Sequence, residues 1–174
     1  MIYISKEDLI KGGNFIMLCG APGSGKSEYA NKLIREFIET EHEFDIASWA
    51  IIAPEKIREE LTGAKNNQSR NKEVFDLVHS DIRHALEDGM NVIYDATNTN
   101  PKSRRKIMNT VSHSDHDGVS VCLIFKTSLI DCLRKNDERD EDRRVPEEVI
   151  ERMYTKLKVN PPALFEGFDV IAYV

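Results

Sequence analysis

The sequence lacks several features that would place it in a large class of proteins. No apolar run approaches the roughly 18 residues of a membrane-spanning helix, and residues 1–13 lack the basic-then-apolar layout of a signal peptide. Its cysteines, Cys19, Cys122 and Cys132, form neither a CxxC pair nor a close metal-ligand spacing, so we expect buried, reduced thiols. These absences favour a soluble, cytoplasmic protein that contacts no membrane.

An excess of positive charge is also missing. The 174-residue chain carries 24 Lys and Arg against 30 Asp and Glu, a formal net charge of −6. A protein that coats DNA without sequence preference is usually basic overall, so this class is disfavoured. A local basic channel for one strand end is compatible with the balance, and nothing in the composition predicts an oligomeric state.

Apolar runs of strand length alternate with segments of helical periodicity along the chain. Residues 15–19 are continuously apolar, as expected of a strand that is buried on both faces. Four further strands are predicted, at residues 49–52, 91–94, 119–125 and 168–174. Helices are predicted between them, and Pro54 and Gly63 mark the start and the end of one helix. The alternation predicts a single α/β domain over residues 1–174, with a roughly five-stranded parallel sheet and helices on both faces.

Residues 20–27, here called the phosphate loop, read GAPGSGKS and match the pattern G-x-x-x-x-G-K-[ST] without mismatch. The glycines allow several backbone N–H groups to point at one anion, and the next helix offers its positive dipole end to the same anion. Lys26 can reach the β- and γ-phosphates of ATP, and Ser27 can ligate Mg²⁺. The flanking strand and helix argue against a plain glycine turn. The predicted nucleotide contacts are Gly20, Ala21, Pro22, Gly23, Ser24, Gly25, Lys26, Ser27 and Glu28.

The end of the second strand carries a carboxylate and a guanidinium, Glu55 and Arg58, here called the acceptor pair. Ligands of open α/β sheets lie at the carboxyl ends of the strands. Glu55 can accept the proton of an incoming hydroxyl, while Arg58 binds a phosphate of the acceptor. An ordinary surface ion pair between residues three apart on a helix explains the same spacing.

The end of the third strand is followed by residues 95–100, DATNTN, here called the polar turn. Asp95 can hold Mg²⁺ through water as a Walker-B acid does, and Thr97 and Asn98 can position acceptor or nucleotide. Local positive charge is expected from Lys102, Arg104, Arg105 and Lys106. The alternative is an Asx-rich helix start with a solvated basic face.

Residues 134–144 carry five basic and five acidic side chains. This stretch can fold over the phosphates as part of a lid at about residues 134–146, here called the lid segment. Arg139 or Arg143 would then stabilise charge on the γ-phosphoryl group. A solvated charged face is the common alternative. His79, His84 and the HSDHD sequence at residues 113–117 are interpreted as packing or solvated groups rather than metal ligands.

The order of these segments resembles the 5′-hydroxyl polynucleotide kinases of phage and bacterial end-healing systems, over residues 14–158. The segments are GAPGSGKS, IREELTG, NNQS with VFDLVHSDIRHALEDGMNVI, DATNTNPKSRRK and KNDERDEDRRVPEEVIERMY. The resemblance implies a P-loop kinase fold with an arginine-bearing lid, and transfer of the γ-phosphate of ATP to a 5′-OH end. It implies that Arg58 binds the acceptor's 3′-phosphate, and that Arg139, with Arg143 as a second candidate, contacts the transferred phosphate.

Two positions depart from the family pattern. The general base, an Asp in the family's D-x-x-R, is Glu55 here, and the earlier lid arginine is Lys135. The leading hypothesis is therefore an ATP- and Mg²⁺-dependent kinase of 5′-OH ends of DNA or RNA, with Lys26, Glu55, Arg139 and Arg143 in catalysis. One alternative is a kinase of a small metabolite, nucleoside or tRNA-borne group, which the negative net charge favours modestly. A second is an ATP-binding switch protein, which would not need an acceptor base.

Overall fold

The computed structural model describes residues 4–40 and 47–174 of the chain. Its helices and strands alternate as predicted, and a short N-terminal helix, which the sequence pattern did not predict, precedes them. In chain order they are α1 (Lys6–Lys11), β1 (Phe15–Cys19), α2 (Lys26–Thr40), β2 (Trp49–Ile52), α3 (Pro54–Thr62), α4 (Asn71–Glu87), β3 (Asn91–Asp95), α5 (Pro101–Ser112), β4 (Ser120–Ile124), α6 (Leu129–Asp137), α7 (Glu147–Val159) and β5 (Val170–Tyr173). Two 3₁₀ turns lie at Glu141–Arg143 and Leu164–Glu166.

The five strands of the described residues form one parallel sheet in the order β2-β3-β1-β4-β5. The central strand β1 is buried along its whole length, which explains its continuous apolar run. From β1 the chain passes β3 to reach β2 at one edge of the sheet. From β3 it passes β1 in the opposite direction to reach β4. The loop after β1 therefore lies where the direction of the strand order reverses, the usual ligand position in open α/β sheets.

Side chains of β1 alternate between two cores, one on each face of the sheet. Phe15, Met17 and Cys19 belong to the core that α4 and α5 cover. Ile16 and Leu18 belong to the core that α1 and α2 cover. The predicted α/β sheet with helices on both faces is thus confirmed, and α2 and α5 lie on opposite faces of it.

Turn and cap residues place two helix starts at the carboxyl edge of the sheet. Pro54 is the first residue of α3, and Gly63, with φ of 77°, follows its last residue, as predicted. Pro101 begins α5, and the side chain of Asn100 accepts a hydrogen bond from the backbone N–H of Lys102. Helix α1 is capped by Ser5 in the same way. Helices α3 and α5 therefore both begin at the same edge of the sheet as the phosphate loop.

The predictions for the cysteines and for His84 agree with the structure. The three cysteines are buried free thiols. His113 and His84 are exposed, and His116 contacts the carbonyl oxygen of Gly13 through Nδ1 at 2.9 Å. Within residues 4–40 and 47–174, no group of three or more His, Cys, Asp or Glu side chains is arranged to hold a metal ion. In the same part of the chain, each helix is too short or too polar to cross a membrane.

Candidate active site

The phosphate loop connects the end of β1 to α2, which begins at Lys26. Gly23 and Gly25 have φ of 82° and 91°, the left-handed region that favours glycine. A side-chain carbon on Gly23 would lie 2.2 Å from the carbonyl oxygen of Cys132 in α6. The motif glycines are therefore required both by the shape of the loop and by its packing against α6. Of the predicted contacts, Ser27 and Glu28 are exposed and Gly25 is half-buried, whereas the others are buried: Gly20, Ala21, Pro22, Gly23, Ser24 and Lys26.

The ammonium group of Lys26 is held inside the loop. It donates hydrogen bonds to the carbonyl oxygens of Gly20 and Ala21, both at 2.9 Å, and to Ser24 Oγ at 3.1 Å. Burial lowers the pKa of Lys26 to about 8, although the negative charge of Asp95 acts in the opposite direction. The lysine is thus surrounded by neutral acceptors, for which phosphate oxygens would be stronger replacements.

The polar turn is bonded to the first residues of the phosphate loop. The backbone N–H of Gly20 donates to the carbonyl oxygen of Thr97 at 3.0 Å. Asn98 is buried, has φ of 49°, and donates from Nδ2 to the carbonyl oxygen of Leu18 at 2.8 Å. The substrate contacts predicted for Thr97 and Asn98 stay predictions. The structure adds that both residues fix the polar turn to the end of β1.

Arg104 does not add free positive charge near the polar turn, so that expectation is wrong. Its side chain is fully buried and forms a two-pronged pair with Glu166, with Nε–Oε2 at 2.8 Å and a terminal nitrogen–Oε1 at 2.7 Å. It also donates to the carbonyl oxygens of Asn98 at 3.1 Å and Asn160 at 3.2 Å. The pair fastens the polar turn to the end of α7. The spacing of Arg104 from the buried Ile107 and Met108 indicated that it lies on the inner face of α5, but not its partner.

Asp95 and Ser27, the predicted Mg²⁺ ligands, lie on neighbouring elements. Asp95 is the half-buried last residue of β3, and its charge acts on Lys26. Ser27 follows Lys26 in the first turn of α2. A carboxylate and a hydroxyl oxygen are hard ligands of the type that Mg²⁺ binds together with waters and substrate phosphates. The donor set therefore fits this ion, with Ser27 and Asp95 as its protein ligands.

The acceptor pair is not an ion pair. Glu55 is exposed, and no salt bridge between it and Arg58 exists among the described residues. Arg58 is only 7% exposed and donates to the carbonyl oxygen of Lys65 at 3.2 Å and to Asn71 Oδ1 at 3.3 Å. Within the described part of the chain, its buried Nε has no partner. Among the described residues, the buried charge of Arg58 is therefore contacted by two neutral acceptors and by no carboxylate.

The first residues of the lid segment, 134–137, form the last turn of α6. Its base is closed by Asn136, which the sequence reasoning assigned no role. Asn136 Nδ2 donates to the carbonyl oxygen of Val145, and the backbone N–H of Val145 donates to Asn136 Oδ1, both at 2.9 Å. The sequence signal for this role was that Asn136 is the one amide in a run of charged side chains. A third apolar cluster joins α6 and α7 to Ala21 of the phosphate loop.

The cations of the lid segment fall into two sets. The charge of Arg139 helps to lower the pKa of Lys26, so its guanidinium lies within electrostatic range of the phosphate loop. The Nζ atom of Lys135 lies 3.7 Å from the position that a side-chain carbon on Gly25 would occupy. Arg143 is the last residue of the 3₁₀ turn at Glu141–Arg143, and no contact joins it to the phosphate loop among the described residues. Arg139 and Lys135 are therefore better placed than Arg143 to contact a bound phosphate.

A family model described as an AAA domain (AAA_33) matches residues 15–159, which include the phosphate loop, the acceptor pair, the polar turn and the lid segment. The chain belongs to this AAA-domain family. Its five-stranded parallel sheet and phosphate loop give it the fold of a P-loop phosphotransferase of the kinase type.

Two relatives are similar over most of this AAA-domain chain. The L-seryl-tRNA(Sec) kinase of Methanococcus maripaludis is 30% identical over 141 residues, which cover 81% of this chain and 51% of that protein. A chain in the structure of the Pnkp1/Rnl/Hen1 RNA repair complex is 26% identical with a TM-score of 0.69, covering 84% of this chain and 44% of that chain. The present chain thus spans about half the length of the curated relative that it matches.

A second solved structure supports the fold alone. Chaetomium thermophilum Kti12, in complex with ADP-AlF3, is 14% identical with a TM-score of 0.65, and the match covers 91% of this chain and 87% of that chain. The predicted P-loop kinase fold is confirmed by this likeness and by the sheet order.

Proposed function

We propose that this AAA-domain chain is an ATP-dependent kinase that phosphorylates the 5′-hydroxyl end of a polynucleotide. The observation that carries the proposal is the acceptor pair, in which Glu55 is a free carboxylate and Arg58 a buried guanidinium without an acidic partner among the described residues. In a polynucleotide, the 5′-terminal hydroxyl is one nucleoside away from a 3′-phosphate. Such an acceptor brings its own anion at a fixed distance from the reacting hydroxyl.

The donor half of the reaction uses the phosphate loop and the lid segment. Lys26 exchanges its three neutral acceptors for the β- and γ-phosphates of ATP, whose negative charge raises its pKa again. Arg139 and Lys135 neutralise charge on the transferred phosphoryl group. Ser27 and Asp95 would hold Mg²⁺, which would supply further charge neutralisation at the phosphates. Phosphoryl transfer depends on positioning and charge neutralisation, which this set provides.

The acceptor half of the reaction uses Glu55 and Arg58. Glu55 accepts the proton of the attacking hydroxyl as the new oxygen–phosphorus bond forms, and ADP leaves as the bond to the γ-phosphorus breaks. Arg58 binds the 3′-phosphate and so holds the hydroxyl in line with the γ-phosphate. Glu is one methylene longer than Asp, so the first turn of α3 must lie slightly farther from the hydroxyl than an Asp would require.

A second candidate is a kinase of a hydroxyl group carried by tRNA. The 30% identity to an L-seryl-tRNA(Sec) kinase over 141 residues favours it. A seryl hydroxyl and a 5′-hydroxyl are both primary alcohols attached to a nucleic acid, so the same base can serve either. They differ in the anion, because a seryl group has no phosphate at the position of the 3′-phosphate that we assign to Arg58.

A panel of acceptors tests both candidates. The protein is incubated with Mg²⁺ and γ-labelled ATP, and with 5′-OH RNA or DNA with and without a 3′-phosphate, seryl-tRNA, nucleosides or water alone. We expect labelling of the 5′-OH oligonucleotides, whereas the same oligonucleotides with a 5′-phosphate stay unlabelled. Labelling of seryl-tRNA alone would establish the second candidate. Release of inorganic phosphate with every acceptor would indicate an ATP-hydrolysing switch instead.

A further inference from the structure

Helix α5 has an unfavourable distribution of charge. Its first two turns carry Lys102, Arg104, Arg105 and Lys106, and the helix contains no acidic residue. The N-terminal end of a helix is the positive end of its dipole, so cations there destabilise it. Glu166 neutralises the charge of Arg104 but of none of the other three cations. Those three side chains are exposed, and none of them forms an ion pair among the described residues. A bound anion would remove this cost.

Two of these cations line a groove of about 450 Å³ between α5 and α4. Arg105 and Lys106 share its lining with His79 from α4 and with Asn109 and Thr110 from α5. Atoms Nδ1 of His79 and Oγ1 of Thr110 are 2.6 Å apart and join the two helices. These five residues define the basic groove. The lining residues that the structure describes include no large apolar side chain, which disfavours an apolar partner.

The charges around the basic groove are positive in sum. Burial lowers the pKa of His79, Asp76 acts against this shift, and the charges of Lys106 and Arg83 add to it. His79 is therefore close to two cations and one carboxylate. That carboxylate, Asp76, is already paired with Lys72 at 2.7 Å. An anion in the groove would thus meet cations that the protein itself leaves unpaired.

The basic groove continues from the active site. Helix α5 begins at the polar turn, so Lys102 lies in the turn of the helix nearest to the active site. Arg105, Lys106 and Asn109 follow at spacings of three and four residues and share its side of the helix. From Lys102 to Asn109 the helix rises about 10 Å. These side chains therefore extend along α5 from the polar turn to the basic groove.

We propose that the basic groove binds the phosphodiester backbone of the acceptor nucleic acid, beyond the nucleotide that enters the active site. This inference rests on the proposed function in one respect, because it takes a polynucleotide as the acceptor. Arg105 and Lys106 contact phosphates, and Asn109 and Thr110 offer polar contacts to the backbone. Contacts of this kind position a strand without reading its sequence. They also reconcile a net charge of −6 with a nucleic-acid substrate, because the positive charge is local.

Direct binding tests the groove without any phosphoryl transfer. A fluorescein-labelled, 5′-phosphorylated single-stranded RNA is titrated with the wild type and with Arg105→Gln/Lys106→Gln at several salt concentrations. We expect about tenfold weaker binding by the variant, and a slope of log K against log salt that is smaller by about 1.4, since each lost phosphate contact removes about 0.7. The matched control is Lys32→Gln/Arg35→Gln on α2, on the opposite face of the sheet, and should bind as the wild type does.

Transfer to acceptors of different length separates this inference from the proposed function. With a nucleoside 3′-monophosphate, which cannot reach the groove, Arg105→Gln/Lys106→Gln should match the wild type. With a long 5′-OH RNA, its KM should rise about tenfold. Equal RNA binding by the groove variant and the control would overturn the groove, whatever the enzyme phosphorylates. Groove-dependent binding with no transfer to any polynucleotide would overturn the proposed function and leave the groove established.

Discussion

The two halves of the candidate site differ in how completely the protein satisfies its own charged groups. In the phosphate loop, Lys26 is buried and bonded to three acceptors, and the loop is packed against α6 and tied to the polar turn. In the acceptor pair, Glu55 is exposed, and Arg58 is buried with an Nε that has no partner in the described part of the chain. The phosphate loop is thus preformed for phosphate, whereas under the proposed function an acceptor would complete the acceptor pair.

Glu55→Gln breaks the acceptor half and should have the largest effect. It keeps size and polarity but removes the proton acceptor, so single-turnover transfer should fall by about 10²–10⁴-fold while ATP affinity is unchanged. Glu55→Asp should keep substantial activity, because a carboxylate remains. The control is Glu60→Gln, an exposed residue of the same helix. A Glu55→Gln variant within about threefold of wild type would show that Glu55 is not the proton acceptor.

Lys26→Met breaks the donor half and should lower single-turnover transfer by about 10²–10³-fold. The methionine keeps the length of the side chain and removes the charge that the transferred phosphoryl group needs. Lys32→Met, on the exposed face of the same helix, is the matched control and should leave the rate unchanged. Circular dichroism should show an intact fold in both variants. More than about a tenth of wild-type activity in Lys26→Met would contradict the assigned role.

Arg58→Gln tests whether the two halves are separate. The KM for 3′-phosphorylated acceptors should rise about tenfold or more, because a charge-assisted hydrogen bond to the acceptor is lost, while the Kd for ATP stays near wild type. Lys56→Gln, exposed in the first turn of α3, is the control. Arg58 also contacts Lys65 and Asn71, so thermal unfolding is measured in parallel. A lower Tm with equal losses for all acceptors would mean that Arg58 only connects α3 to α4.

The smallest predicted effect is a proton taken up by the donor half. With its pKa at about 8, Lys26 is partly neutral in the free protein above that pH, and the phosphates of a bound nucleotide restore its charge. At a pH of about 8.5, nucleotide binding should therefore take up roughly three quarters of a proton, and near neutrality almost none. Calorimetry in buffers of different ionisation enthalpy measures this uptake. Lys26→Met should show none, and proton release by the wild type would contradict the assignment.

The sequence was most informative where a function lies in consecutive residues. The phosphate loop could be predicted because its eight residues, its strand and its helix are contiguous, and each obeys a local geometric requirement. The sheet followed from the alternation of apolar runs. Helix α1 was missed, because it is only one and a half turns long and its Ser5 cap is a weak local signal.

Side-chain partners distant in the sequence could not be predicted. Arg104 and Glu166 are 62 positions apart, and the residues around each of them give no local sign of the pair. The basic groove likewise needs two helices from different parts of the chain, so its cations appeared in the sequence only as a run of positive charge on α5. The missing ion pair between Glu55 and Arg58 depends on the rotamers of two side chains, which spacing on a helix does not determine.

The position of the transferred phosphate tests the central claim most directly. The protein is incubated with γ-labelled ATP and a 5′-OH RNA that ends in a 3′-phosphate, and the RNA is then digested completely to nucleoside 5′-monophosphates. Our account predicts that all label is found in the nucleotide that was 5′-terminal, and that the same RNA with a 5′-phosphate takes up none. Label found only in inorganic phosphate, or at a position other than the 5′ end, would contradict it.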